Sequence, residues 1–194
     1  MNKTDLKKCY LALPLLCLPL LQGCIPLAVG AVVGGGFVAY KKPHIDTLSQ
    51  DTSIYRQADR AFGQDRSFGR DSHVVISVTN NNVLLVGQVP NEEQKARAET
   101  LVKNIPGVKR VFNQLAIAPV TTGVIRSNDS WITTKVKTEL IGTKGLESVR
   151  IKVVTENGVV YLMGITSREQ AEMAVSVTRR IVGVQKVVKL FEYV

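Results

Sequence analysis

The chain has few of the residues on which most catalytic and metal sites are built. Its 194 residues contain three cysteines, two histidines and one tryptophan. The histidines, His44 and His73, have no cysteine or histidine partner at metal-ligand spacing, so we expect no metal site. No G-x-S-x-G, phosphate-loop or HExxH pattern occurs either. We therefore expect that the protein is not an enzyme and carries no cofactor.

Acidic residues are also scarce beside basic ones, with 16 against 25 and a net charge of +9. This imbalance favours an anionic partner, and both nucleic acid and anionic lipid fit that description. The composition, 45% hydrophobic and 21% charged, is typical of a globular protein. The cellular compartment must decide between the two partners.

All three cysteines lie within the first 24 residues, in a pattern typical of an exported lipoprotein. Three lysines precede the apolar run YLALPLLCLPL, and LQGC follows at 21–24. Residues 1–23 are predicted to be a signal peptide, and Cys24 resembles the acylated cysteine of bacterial lipoproteins. The alternative is an uncleaved transmembrane anchor over 10–40, but Pro14, Pro19 and Pro26 disfavour one straight helix of that length.

An acylated Cys24 would confine the protein to a membrane, since each buried methylene contributes about 0.8 kcal/mol. Residue 25 is isoleucine and not aspartate. By resemblance to sorting in Gram-negative bacteria, this favours the outer membrane, with the protein lipid-anchored and facing the periplasm. Nucleic acid is then not an expected partner. The cleaved chain would keep one cysteine and could form no internal disulfide.

Residues 24–45 are predicted to be a lipidated, glycine-rich tether, and the segment reads IPLAVGAVVGGGFVAY from Ile25. Gly30 and Gly34 form a GxxxG spacing, which would suit a segment that rests on the bilayer or packs against another copy. A flexible linker between lipid and domain is the simpler interpretation.

The rest of the chain contains an internal repeat. At a fixed offset of 76, residues 73–115 match 149–191 at 11 positions. The matching pairs include Val78/Val154, Asn81/Asn157, Glu93/Glu169, Gln94/Gln170, Ile105/Ile181 and Gly107/Gly183. Two domains are therefore predicted, the first at 46–118 and the second at 119–194.

Each copy shows the same order of predicted elements. Two β-rich runs around an asparagine turn predict a hairpin, and a further helix precedes each hairpin. The hairpin strands are predicted at 74–79 and 83–89, then 150–155 and 159–165, and the preceding helices at 53–62 and 130–141.

A second helix follows each hairpin. It is predicted to be capped by Asn91 or Ser167, with a glutamine three residues later as in a capping box. Gly107 or Gly183 is predicted to end it, before a last strand. The predicted fold class is α+β: αββαβ twice, each with two helices packed on a three-stranded mixed sheet.

This unit resembles the BON domain in three features. The hairpin follows the pattern V…NG.V.L.G, the second helix begins with an acidic residue followed by glutamine, and the last strand follows the pattern GV..V. Two such units behind a lipoprotein signal cover nearly the whole chain. The resemblance implies a non-enzymatic outer-membrane lipoprotein of the dual-BON type, which supports outer-membrane integrity at division sites. We expect a monomer.

The single tryptophan lies in SNDSWITTKVKTEL, residues 127–140, where Asn128 or Asp129 is predicted to cap a helix. Ile132, Val136 and Leu140 form one stripe at helical spacing, and Trp131 lies about 140° from its centre. The corresponding helix of the first copy, predicted at 53–62, keeps the stripe but has serine in place of the tryptophan. Trp131 is therefore predicted to point outward.

An outward tryptophan beside lysines suits a membrane interface, where Lys135 and Lys137 could each gain about 1 kcal/mol from an anionic surface. Hydroxyl groups and a helix N-terminus could bind phosphate oxygens. The resemblance to dual-BON proteins implies that this helix binds anionic phospholipid, and it implies that role for a set of six residues: Trp131, Thr134, Lys135, Thr138, Ser130 and Asn128.

Two alternatives remain. Trp131 could be a plug between the two domains. The protein could also be an adaptor that uses the same aromatic residue to dock an outer-membrane assembly protein or a cell-wall enzyme.

Overall fold

The computed structural model describes residues 45–194, with side chains from Leu48 onward. The predicted signal peptide, Cys24 and tether lie outside the described residues. The described residues lie within one compact unit, Lys41–Val194. Because every residue of the cores below lies in this unit, we expect the fragment 41–194 to fold by itself.

The elements follow one another in the predicted order, with short additions. The first copy contains α1 Ile45–Gln64, β1 His73–Thr79, β2 Asn82–Val89, α2 Glu92–Lys103, β3 Arg110–Asn113 and β4 Ala116–Ile117. The second contains α3 Gly123–Gly142, a single 3-10 turn Ser148–Arg150, β5 Lys152–Glu156, β6 Val159–Thr166, α4 Arg168–Thr178 and β7 Lys186–Tyr193.

The α+β class and the mixed sheets are confirmed. In each copy the hairpin is antiparallel, and the last strand pairs parallel with the second strand of the hairpin. The first copy differs from the prediction because its last strand is in two pieces, β3 and β4, which both pair with β2. Between them, the Gln114 N–H donates to the Leu85 carbonyl at 2.8 Å, and Leu115 turns into the core.

Each copy has its own core between helices and sheet, as the helical stripes predicted. Ile54 and Ala58 of α1 are completely buried against the first sheet. Ile132, Val136 and Leu140 of α3 are buried in the same way against the second. The aligned stripes of the two copies therefore both pack their helix against the sheet of the same copy.

The predicted starts of α1 and α3 were wrong. α1 begins at Ile45 rather than at residue 53, and α3 begins at Gly123 rather than at residue 130. Thr122 caps α3, and its hydroxyl accepts from the Ile125 N–H at 3.5 Å. Residues 123–129, which precede the predicted start, are therefore helical, and the domain boundaries at 118 and 119 stay a prediction.

The caps of α2 and α4 are confirmed, because Asn91 and Ser167 accept from the backbone N–H groups of Gln94 and Gln170. The reciprocal half of the capping box is absent from both, since the two glutamine side chains bind loops that precede the hairpins. The predicted helix ends were late: α2 ends at Lys103 and α4 at Thr178. Gly107 and Gly183 lie in the turns that follow, with φ of +92° and +93°.

The hairpins of the two copies correspond at an offset of 77 and not at the predicted 76. Gly87 and Gly164 occupy equivalent positions in the second strand of each hairpin, with φ of +120° and +142°. The predicted pair Val78/Val154 is therefore wrong: Val78 packs under the helices and Val154 on the opposite face of its sheet. A shift of one residue along a strand exchanges the two faces. From the caps of α2 and α4, the residues of the two copies again correspond at an offset of 76.

The sheets of the two copies pack against each other by the faces that carry no helices. Leu84, Val86, Tyr161 and Met163 form a third core there. A buried polar contact joins the copies beside it, where the Gln88 side-chain amide donates to a Glu156 carboxylate oxygen at 2.7 Å. The fold is thus helices, sheet, sheet, helices, with α3 and α4 on one outer layer.

Candidate functional site

The outward face of α3 carries the tryptophan, as predicted. Trp131 keeps 47% of its surface exposed, whereas its neighbour Ile132 is completely buried. The Lys135 ammonium lies 5.7 Å from the centroid of the indole ring, one helical turn along, which is a cation–π distance. An aromatic ring and a cation are therefore presented together on the surface.

The earlier start of α3 extends this face beyond the predicted residues. Val124 lies seven residues before Trp131, two helical turns away on the same side, and it is 80% exposed. Asn128 is exposed between them. Val124 could not be recognised as part of this face from the sequence, because the helix was predicted to start only at residue 130.

The predicted phosphate site at a helix N-terminus was wrong in its position. Asn128 and Ser130 lie well inside α3, whose first turn is at Gly123 and Val124. The free backbone N–H groups of a helix occur only in its first turn, so these two residues have none to offer. Asn128 remains a site candidate as an exposed amide alone.

The hydroxyl groups of the face are turned toward their own helix. Ser130, Thr134 and Thr138 each donate to the carbonyl four residues earlier, at 3.0, 3.0 and 2.9 Å. Their oxygens face the surface as acceptors, whereas a phosphate needs donors. In this arrangement the Lys135 ammonium is a donor beside the indole, and the three hydroxyls would have to rotate to bind an anion.

Lys137 lies on a different side of α3. It borders a small cleft with Ile141 and Val149, whereas Lys135 borders a groove with Trp131. The pairing of Lys135 and Lys137 on one surface is therefore wrong, because two residues along a helix correspond to a rotation of about 200°.

The groove beside Trp131 has a volume of about 770 Å³ and lies between α3 and α4. All of its lining residues belong to the second copy: Trp131, Lys135, Glu139, Thr143, Met173, Ser176, Val177, Arg180, Ile181 and Val182. The contact between the two copies is made by the opposite face of the sheet. Trp131 is therefore not a plug between the domains.

The shifted pKa values of the described residues occur away from this face. Two hydrogen bonds from Ser67, followed by one from Arg97, hold the pKa of Asp65 at about 2. A hydrogen bond from Lys189 lowers the pKa of Glu172, and burial raises that of Tyr161. These groups belong to ion pairs and to the contact between the sheets.

No cluster of three or more potential metal ligands occurs in the part of the chain that the structure describes. Among residues 45–194, no helix has both the length and the apolar character needed to cross a bilayer. Within the described residues, the exposed face of α3 and the groove beside it form the candidate site, and a second exposed apolar patch lies at Ile141 and Val149.

Comparisons with known proteins identify the family. The model of the BON domain matches residues 50–119 and 128–194. The chain is 37% identical over 177 residues to the outer membrane lipoprotein DolP of Haemophilus influenzae, covering 89% of this chain and 90% of that protein. It is 35% identical over 149 residues to the 21 kDa hemolysin of Actinobacillus pleuropneumoniae, covering 76% of each.

A solved structure of CdsD, a structural protein of the type III secretion system of Chlamydia trachomatis, is 12% identical and covers 73% of this chain and 92% of that chain. Its TM-score of 0.31 is too low to support an inference. The family model, in contrast, matches more than half of the chain, and the Haemophilus relative is similar over nearly all of it. The chain therefore belongs to the BON domain family.

Proposed function

We propose that this protein is a lipid-anchored outer-membrane protein, facing the periplasm, that binds anionic phospholipid through the outer face of α3. The observation that carries the proposal is the exposed indole of Trp131 with the Lys135 ammonium 5.7 Å from its ring. Tryptophan is enriched at membrane interfaces, because its ring is apolar and its N–H can stay hydrated. A lysine near an anionic surface gains about 1 kcal/mol.

The location rests on the sequence and on one relative. Cys24 is the predicted site of acylation, and the Haemophilus influenzae relative is named an outer membrane lipoprotein. A lipid anchor keeps α3 close to the bilayer, so a weak contact per molecule is sufficient. By the resemblance, such binding would support membrane integrity at division sites, where the membrane is anionic and strongly curved.

The test uses the fragment 41–194 and vesicles of phosphatidylglycerol and phosphatidylethanolamine. Trp131→Glu should lower vesicle binding at least about tenfold, because it places a carboxylate where the ring enters the interface. Tyr55→Glu is the matched control, since Tyr55 is an aromatic residue of α1 with 44% exposure. Equal binding of the Trp131→Glu variant and the wild type would refute the proposal.

A second candidate function is a protein adaptor, and a second exposed apolar patch favours it. Ile141 is 73% exposed and Val149 is 94% exposed, and they border one cleft that does not include Trp131. Such patches occur at protein interfaces. Crosslinking in cells from position 149 and from position 131 separates the two functions. A dominant protein adduct from 149 would support a docking patch there, and a dominant protein adduct from 131 would favour the adaptor over lipid binding.

A further inference from the structure

The groove between α3 and α4 has an apolar floor between two helical walls. α4 is antiparallel to α3. Gln170, near the start of α4, binds the loop after the end of α3, and Gly183, after the end of α4, lies against Ile132 in the first half of α3. Val177 and Ile181 form part of the floor and pack on the core of the second copy. The groove is therefore rigid at its base and open to solvent above.

Cations stand on both walls of the groove. Lys135 comes from α3 and Arg180 from α4. The Arg180 guanidinium is held along its helix, because its Nε donates to the Ser176 carbonyl at 3.2 Å and its Nη2 to the Ser176 hydroxyl at 3.0 Å. Glu139, one turn beyond Lys135, lines the groove further along α3 and would repel an anion there. The favourable place for an anion is thus between Lys135 and Arg180.

The first copy offers a contrast at the equivalent place. Arg97 stands where the second copy has Met173, and its Nε donates to Asp65 at 2.8 Å. The cleft beside it is lined mostly by polar side chains. An ion pair therefore occupies in the first copy the position that is apolar in the second.

We infer that the α3–α4 groove receives one hydrocarbon tail of an anionic phospholipid, with the phosphate between Lys135 and Arg180 and the tail along Ile181, Val177 and Met173. This inference rests on the proposed function and adds to it that a single lipid is bound in a groove, beyond contact with a surface. The volume of about 770 Å³ lies in the range of about 300–1,000 Å³ of pockets that hold one small ligand.

The first test uses the fragment 41–194 and short-chain phosphatidylglycerols below their micelle concentration. Trp131 is the only tryptophan, so its fluorescence reports binding at the groove. Affinity should rise about fourfold per added methylene and level off when the groove is full. An affinity that does not depend on chain length would overturn the inference.

The second test fills the groove. Ser176 is an exposed lining residue of α4, and Ser176→Phe should weaken binding of the monomeric lipid at least about tenfold while vesicle binding is retained. Thr100→Phe is the matched control, because Thr100 is the exposed equivalent on α2. If the Ser176→Phe variant binds monomeric lipid as the wild type does, the inference is wrong.

The third test removes one cation without changing the fold. Arg180→Gln should weaken monomeric lipid binding several-fold more than Arg179→Gln, since Arg179 is exposed but does not line the groove. Equal effects would contradict the assignment of the phosphate. A wild type that binds vesicles but no monomeric lipid overturns the inference and leaves the proposed function standing. A wild type that binds neither overturns both.

Discussion

Asp129 of α3 accepts a hydrogen bond from the backbone N–H of Asn157 at 2.8 Å, across the second copy. Its other carboxylate oxygen accepts from Gly158, also at 2.8 Å. Asp51 of α1 holds the first hairpin in the same way, through Asn80 and Asn81 at 2.9 and 2.7 Å. In both copies the aspartate lies three residues before the first isoleucine of the core stripe. The helix that carries the proposed site is thus fixed to the turn of its own hairpin.

Replacing Asp129 with alanine should lower the free energy of unfolding by about 2–4 kcal/mol. The carboxylate is buried, and hydrogen bonds to charged groups contribute about 1.5–3 kcal/mol each. Urea denaturation monitored by circular dichroism measures the change. Asp59→Ala, an exposed aspartate of α1, is the control and should stay within about 0.5 kcal/mol of the wild type. An unchanged midpoint for Asp129→Ala would show that the two hydrogen bonds contribute little.

The sequence predicted the class, the element order and the inward stripes, because these depend on short-range spacing. The start of α3 was predicted too late, because aspartate is a common N-cap residue and Asp129 was therefore taken as a possible start of the helix. The groups that this carboxylate binds belong to a turn nearly thirty residues later, which local patterns do not contain. The predicted offset between the two hairpins was wrong for another reason. Over residues 73–89, the offsets 76 and 77 each give four identities, so identity could not decide between them.

The backbone conformation of Gly164 has a direct test. A Cβ atom at this residue would lie 2.1 Å from the Arg150 carbonyl oxygen, and its φ of +142° is unfavourable for other residues. Gly164→Ala should therefore destabilise the protein by at least about 2 kcal/mol. Gly142→Ala is the control, since a Cβ there meets nothing within 4 Å and the substitution should cost nothing. Equal thermal midpoints for the two variants would contradict this account.

Gln88 should couple the unfolding of the two copies. Its amide donates to Glu156 at 2.7 Å, and its oxygen accepts from the backbone N–H of Thr121 at 3.1 Å. Gln88→Leu would leave the buried Glu156 carboxylate without this donor, at a cost of about 1–3 kcal/mol. Calorimetry should then show a broadened or split transition in place of one. Gln114→Leu, at an exposed position, should leave the transition unchanged. A sharp single transition for Gln88→Leu would argue against the coupling.

Acid should weaken the first copy through Asp65. Hydrogen bonds from Ser67 and Arg97 hold its folded-state pKa at about 2, below the ordinary value of 3.8. Above about pH 5 the carboxyl is ionised in both states and its contribution is complete. As the pH falls from about 5 to 2, the unfolded state takes up the proton before the folded state does, so stability falls as the pH falls. Asp65→Asn should flatten the loss in this window. Parallel pH profiles of variant and wild type would refute the prediction.

Much of the candidate site could be predicted, since the outward direction of Trp131 follows from the helical wheel. The groove could not, because α4 begins more than thirty residues after Trp131 and no spacing rule brings the two together. The orientation of the hydroxyl groups on α3 could not be predicted from the sequence either. A threonine in a helix can bond its own backbone or a ligand, and only the structure shows which it does.

Val124 provides the last prediction, because it tests the longer α3 directly. It is 80% exposed and lies two turns before Trp131 on the same side, so the membrane-facing surface should include it. Val124→Glu should weaken binding to anionic vesicles several-fold, because a carboxylate would enter an apolar and negatively charged interface. Val149→Glu introduces the same charge at a position 94% exposed on another side, and should weaken binding much less. If the two variants bind alike, the loss reflects net charge alone and the face ends at Trp131.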